Sequence, residues 1–178
     1  YREFWINFTA TGWQLISIPL TVSNTAFSSV FQDIAGMYDD LRVYDAVAGK
    51  WLSWNTLKPA NSLTDVDKTM GIWIYITDAS ASIHITGNLT YVTEIPLEPG
   101  WNLIGYPSLD STGLTVDDLL NDPTLGIDAV EGFDGLRSPY FLKDLGKLPG
   151  PIYLQPGKGY WVHVSGTSGR TLPVPGGF

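Results

Sequence analysis

The stretch Gly12-Trp13-Gln14-Leu15-Ile16-Ser17-Ile18-Pro19 comes back as Gly100-Trp101-Asn102-Leu103-Ile104-Gly105-Tyr106-Pro107. Gly, Trp, Leu, Ile and Pro recur in the same order at an offset of 88. The same offset lays Gly71-Ile72-Trp73 on Gly159-Tyr160-Trp161. With one residue added, it lays Tyr44-Asp45 on Phe133-Asp134, Trp51 on Tyr140 and Gly87 on Gly176. Several anchors at nearly one spacing mark an internal repeat, and a repeat constrains architecture before any local propensity does. The chain reads as two homologous units, 1–88 and 89–178, which can pack as one pseudo-two-fold domain. Gly12, Trp13, Pro19, Gly71 and Trp73, with Gly100, Trp101, Pro107, Gly159 and Trp161, are then scaffold positions.

Each unit opens on a strand (about 3–9 and 91–97) and turns into the Gly-Trp strand. A short amphipathic stretch follows, carried by Phe27, Val30, Phe31 and Ile34 in the first unit and Leu114, Val116, Leu119 and Leu120 in the second. Apolar spacing of three and four predicts one or two helical turns there, with Thr115 or Ser111 as N-cap of the second. Next comes a hairpin-like pair, turning at Ala48-Gly49 in one unit and at Asp134-Gly135 and Ser138-Pro139 in the other. The Gly-x-Trp strand and a last strand (about 81–85 and 171–174) complete the unit. The expectation is an all-β fold: two tandem sandwich-like units of about five strands, each with one short helix.

Alternation splits every repeated strand into two faces. Trp13, Leu15 and Pro19 lie on one side of the first Gly-Trp strand, and Ile16 and Ile18 on the other. In the Gly-x-Trp strands, Ile72, Ile74 and Ile76 oppose Trp73 and Tyr75, as Tyr160, Val162 and Val164 oppose Trp161 and His163. Both faces are largely apolar, which suits strands covered on both sides. The expectation is that the repeated tryptophans fill the core of each unit; the alternative is a flat aromatic platform.

Composition removes several functions. Net charge is −8 with no basic cluster, so nucleic acid has no electrostatic footprint to bind. The chain has no Cys, which excludes disulfides and thiolate chemistry. No apolar run approaches the roughly 20 residues of a membrane helix. The start at Tyr1 fits a processed secreted protein or a piece of a longer chain. Two sequons, at Asn7 and Asn88, agree with an extracellular or cell-surface location and offer glycosylation sites.

No catalytic constellation stands out. His84 and His163 sit in strand patterns and do not correspond under the repeat, so both read as structural. Gly157-Lys158-Gly159 lacks the Ser or Thr that a phosphate loop requires. Asp110-Ser111-Thr112-Gly113 inserts a residue into the aspartic-protease motif and has no counterpart in the first unit. The acidic pairs Asp39-Asp40, Asp65/Asp67 and Asp117-Asp118 leave a small hydrolase as a third-ranked function. For carbohydrate, Trp51, Trp54 and Tyr44 are the first candidates, with Tyr140 and Phe133 in the copy, because their loop-like context suits exposed aromatic rings. Asp122, Asp128, Glu131 and Asp134 could brace a loop through calcium, although EF-hand spacing is missing; no other cofactor is implied.

The pair Gly100-Trp101-Asn102-Leu103 … Pro107 and Gly159-Tyr160-Trp161-Val162 resembles a tandem module of secreted multi-domain surface proteins of archaea and bacteria. The resemblance covers both halves, with Gln14 for Asn102 and Ile72 for Tyr160 as departures in the first. It implies an extracellular setting and assigns no activity. The leading expectation is a non-catalytic structural or assembly module of a surface protein, surface layer or filament. Its partners would be neighbouring domains or identical subunits, met through β edges such as 2–8 or 171–174. The alternative is a carbohydrate-binding module of a secreted multi-domain enzyme, with glycans as partners.

Overall fold

The computed structural model of the chain describes residues 1–133 and 142–178. The first unit runs β1 (Arg2–Asn7), β2 (Gly12–Ile16), α1 (Phe27–Val30), β3 (Tyr38–Asp45), β4 (Lys50–Asn55), β5 (Ile72–Ile76) and β6 (Ser82–Gly87). The second runs β7 (Val92–Leu97), β8 (Gly100–Ile104), α2 (Val116–Asn121), β9 (Ile127–Phe133), β10 (Leu142–Asp144), β11 (Tyr160–Val164) and β12 (Arg170–Pro175). The fold is all-β, with six described strands per half against the five or so expected from sequence.

Strand order repeats as the sequence does. A four-stranded sheet β2-β5-β3-β4 in the first half matches β8-β11-β9-β10 in the second, and the pairs β1-β6 and β7-β12 match likewise. All of these ladders are antiparallel. The first and last strands of each half therefore close on each other, Arg2 opposite Gly87 and Val92 opposite Pro175. Their inward residues, Ile6, Ile83 and Ile85 or Ile95, Leu172 and Val174, are buried against the four-stranded sheet. Each half is thus a two-layer sandwich with its own core.

The short helices plug one end of each core. Val30 does so in the first half, with Phe31 and Ile34 from the turn that follows α1, and Val116 and Leu119 in the second. Of the two candidate caps, Thr115 is the one in place. Its hydroxyl accepts from the Asp118 N–H at 3.0 Å, and the Asp118 carboxylate accepts from the Thr115 N–H at 2.8 Å. This reciprocal capping box satisfies donors that a six-residue helix would otherwise leave open, and those hydrogen bonds hold the Asp118 carboxyl below the usual carboxylate range. Burial pushes the Tyr160 phenol up to about 12, with its oxygen accepting the Gln155 N–H at 2.8 Å.

The four-stranded sheets then pack face to face. Ile72, Ile74 and Ile76 point into the first core, while Trp73 from the same strand points away from it. The alternation read from sequence is present, but the destination of the tryptophans differs. Trp13, Leu15, Trp73 and Leu103 form a separate buried cluster, joined by Tyr44, Phe133, Leu142 and Trp161, between the halves. The reason is that each four-stranded sheet is apolar on both faces: one face supplies a core and the other supplies a seam.

Candidate binding cleft at the seam

The seam is reciprocal, like the interface of a two-fold dimer. Tyr44 packs on Trp161 with centroids 5.5 Å apart, and its repeat counterpart Phe133 packs on Trp73 at 5.3 Å. Trp13 meets Trp73 edge-to-face at 6.3 Å and 89°, and Trp101 meets Trp161 at 6.3 Å and 89°. Main-chain contacts obey the same exchange. The Ser17 N–H donates to the Gly157 carbonyl at 2.9 Å, and the Gly105 N–H to the Thr69 carbonyl at 2.8 Å.

The glycines of the two Gly-x-Trp motifs exist for this approach. A Cβ on Gly71 would lie 2.8 Å from the Ile104 carbonyl oxygen. A Cβ on Gly159 would lie 2.9 Å from the Ile16 carbonyl oxygen and 3.1 Å from the Gly71 Cα. The two glycines touch at the centre of the seam, where any side chain would wedge the sheets apart. Gly12 and Gly100 serve differently, starting their strands at φ 97° and 92°, values that L side chains rarely adopt.

One side of the seam opens into a cleft of about 310 Å³ lined by Trp13, Arg42, Trp51, Trp73, Leu142 and Trp161. Arg42 lies 5.0 Å over the ring of Trp13. Its Nε and Nη2 each donate to Asp40 at 3.0 Å, and Asn55 Nδ2 donates to the same carboxylate at 2.8 Å. Asp40 is buried, so this fork fixes the guanidinium in orientation as well as charge.

Here the repeat is broken. Arg42 stands opposite Trp73 in its ladder, and the position opposite Trp161 in the copy is Glu131. A cation is attracted to the negative face of an indole and a carboxylate is not. Accordingly Trp13 is 8% exposed beneath Arg42, whereas its counterpart Trp101 is 40% exposed. The two sides of the seam have therefore diverged chemically on one scaffold.

Of the aromatic candidates named from sequence, Trp51 and Tyr44 come together, 5.3 Å apart, and Trp51 also meets Trp161 at 5.6 Å. Phe133 joins the seam against Trp73. Trp54 sits elsewhere: it is half-buried against the first core, touching Phe27 and Tyr38. Tyr140 lies outside the described residues. The cleft adds Trp13, Leu142 and Arg42, which no sequence feature marked for ligand contact, together with Trp73 and Trp161, which the sequence offered only as the alternative aromatic platform. Trp73 and Tyr75 each meet Trp13 edge-on, at 89° and 83°, and Trp161 and His163 each meet Trp101 at steep angles, 89° and 64°.

The acidic candidates have other occupations. Asp122 accepts from the N–H and hydroxyl of Thr124, Asp128 lies 2.6 Å from His163 Nδ1, and Glu131 faces Trp161 across the ladder. Asp134 lies outside the described residues. Among the described residues no group of three or more His, Asp or Glu side chains is arranged to hold a metal ion. His84 stacks on Trp5 at 4.2 Å and 8°, with Glu3 3.4 Å from its Nε2. Asn7 and Asn88 are both exposed; the Asn7 side chain accepts from the Ser82 hydroxyl at 2.6 Å. Among the described residues no helix is long and apolar enough to cross a membrane. In comparison with known proteins, no family model, curated protein or solved structure matches the chain.

Proposed function

We propose that the chain is a non-catalytic structural module of an extracellular surface protein, a rigid spacer that joins its neighbours through a β edge. The observation that carries this reading is the reciprocal seam. Two sandwiches locked together by backbone contacts at Gly71 and Gly159 form a stiff unit of the kind a surface layer or filament requires. The resemblance of the Gly-Trp and Gly-Tyr-Trp motifs to tandem modules of surface proteins points the same way.

The available edges are unequal. Pro96 in β7 and Pro173 and Pro175 in β12 lack the N–H that an added strand would need. On β6 the His84 N–H is already taken by Asp33 at 3.0 Å, and on β4 the Ser53 and Asn55 N–H groups are taken by Ser62 and Asn61. β1 carries no proline, so its outer edge, 2–7, is suited to accept a strand from a neighbouring domain or a second copy. Native mass spectrometry and electron microscopy over a rising concentration series test the assembly. Oligomers or filaments that disappear when prolines are introduced into β1 are expected. A particle that stays monomeric at every concentration contradicts joining through this edge.

A further inference from the structure

We propose that the cleft between the two halves is a binding site for a neutral pyranose sugar, held by Trp51 and Trp161 and oriented by Arg42. This goes beyond the spacer reading and does not depend on it. Trp51 is 46% exposed, the most exposed of the four tryptophans that line the cleft. Trp161 stands beside it at 5.6 Å and 76°, so the two planes make a corner. Trp13 and Trp73, both nearly buried, line the interior at 89° to each other.

A corner of this kind receives one ring at a time, its face on one wall and its edge toward the other. A polyproline peptide instead lies along a groove lined by aromatic side chains. A pyranose presents C–H groups on its faces and hydroxyls around its rim, which matches an indole wall with a polar border. Arg42 supplies that border, fixed by its fork to Asp40. The volume, about 310 Å³, lies at the small end of the roughly 300–1,000 Å³ range of ligand pockets and suits a mono- or disaccharide unit.

Charge narrows the class further. A cationic ligand would seek the face of an indole, but Arg42 already occupies that place over Trp13 and repels a second cation. A strongly anionic ligand meets the negative faces of four indoles on a chain of net charge −8. A neutral ring avoids both costs. Among the described residues the copy differs in composition, with Glu131 where Arg42 would be and Trp101 40% exposed.

The test titrates the whole chain with cello-, xylo-, manno- and chito-oligosaccharides into the millimolar range, following tryptophan emission. A saturable shift with at least one series is expected. Trp51→Ala should weaken that binding about tenfold, the size of one lost aromatic contact. Trp51→Phe should retain most of it, and Trp5→Ala, at an exposed tryptophan stacked on His84 outside the cleft lining, should leave it unchanged. Because Trp51 is half-exposed, its replacement spares the folded state, which an unchanged far-ultraviolet melting curve verifies. The proposal is overturned if no series gives a saturable shift. It is equally overturned if Trp5→Ala costs as much as Trp51→Ala, or if a proline-rich peptide binds and no sugar does.

Discussion

Replacing Gly159 by valine lowers the stability of the folded chain by about 3 kcal/mol, read from urea denaturation. This glycine does not adopt a positive φ, so the cost is steric. A Cβ there meets the Ile16 carbonyl at 2.9 Å, a Leu15 methyl at 3.0 Å and the Gly71 Cα at 3.1 Å. Two of the three are backbone atoms, in β2 and just before β5, and these cannot swing aside. Gly71→Val behaves alike against the Ile104 carbonyl and the Leu103 side chain, both at 2.8 Å. A change within about 0.5 kcal/mol for either variant, the range of ordinary surface substitutions, would mean that the sheets do not approach as described.

Trp73→Ala is expected to cost about 3–5 kcal/mol, the range for removing a large buried ring. Trp73 is 9% exposed and touches Trp13 at 6.3 Å and Phe133 at 5.3 Å, so its loss opens a cavity shared by both halves. Trp5→Ala serves as comparison. Trp5 is 54% exposed and stacked on His84 at the surface, so its removal should cost less than about 1 kcal/mol. Equal losses for the two would show that Trp73 is not a seam residue.

The repeat was legible because glycine, tryptophan and proline at fixed offsets leave a mark that no local propensity imitates. Alternation then divided Ile72, Ile74 and Ile76 from Trp73 correctly. It could not say what would cover the tryptophan face, because periodicity assigns a side chain to a side of a sheet and not to a partner. The cleft was hidden for the same reason: Trp13, Arg42, Trp51 and Trp161 meet only after two sheets, distant in sequence, are stacked. One signal was there to be read. Trp51 and Trp54 are three residues apart, so a strand must place them on opposite faces, and only one of them can share a site with Tyr44. The exchange of Arg42 for Glu131 across the repeat was a second signal, visible once the anchors are aligned. The pairing of His163 with Asp128 joins positions 35 residues apart and needed the β9–β11 ladder to appear.

The central claim is that two duplicated sandwiches are fused into one cooperative body by the seam. Differential scanning calorimetry of the whole chain addresses it directly. Mutual dependence of the halves predicts a single transition whose calorimetric and van't Hoff enthalpies agree. Two resolved transitions, or a calorimetric enthalpy well above the van't Hoff value, would show two sandwiches that melt independently and would contradict the account.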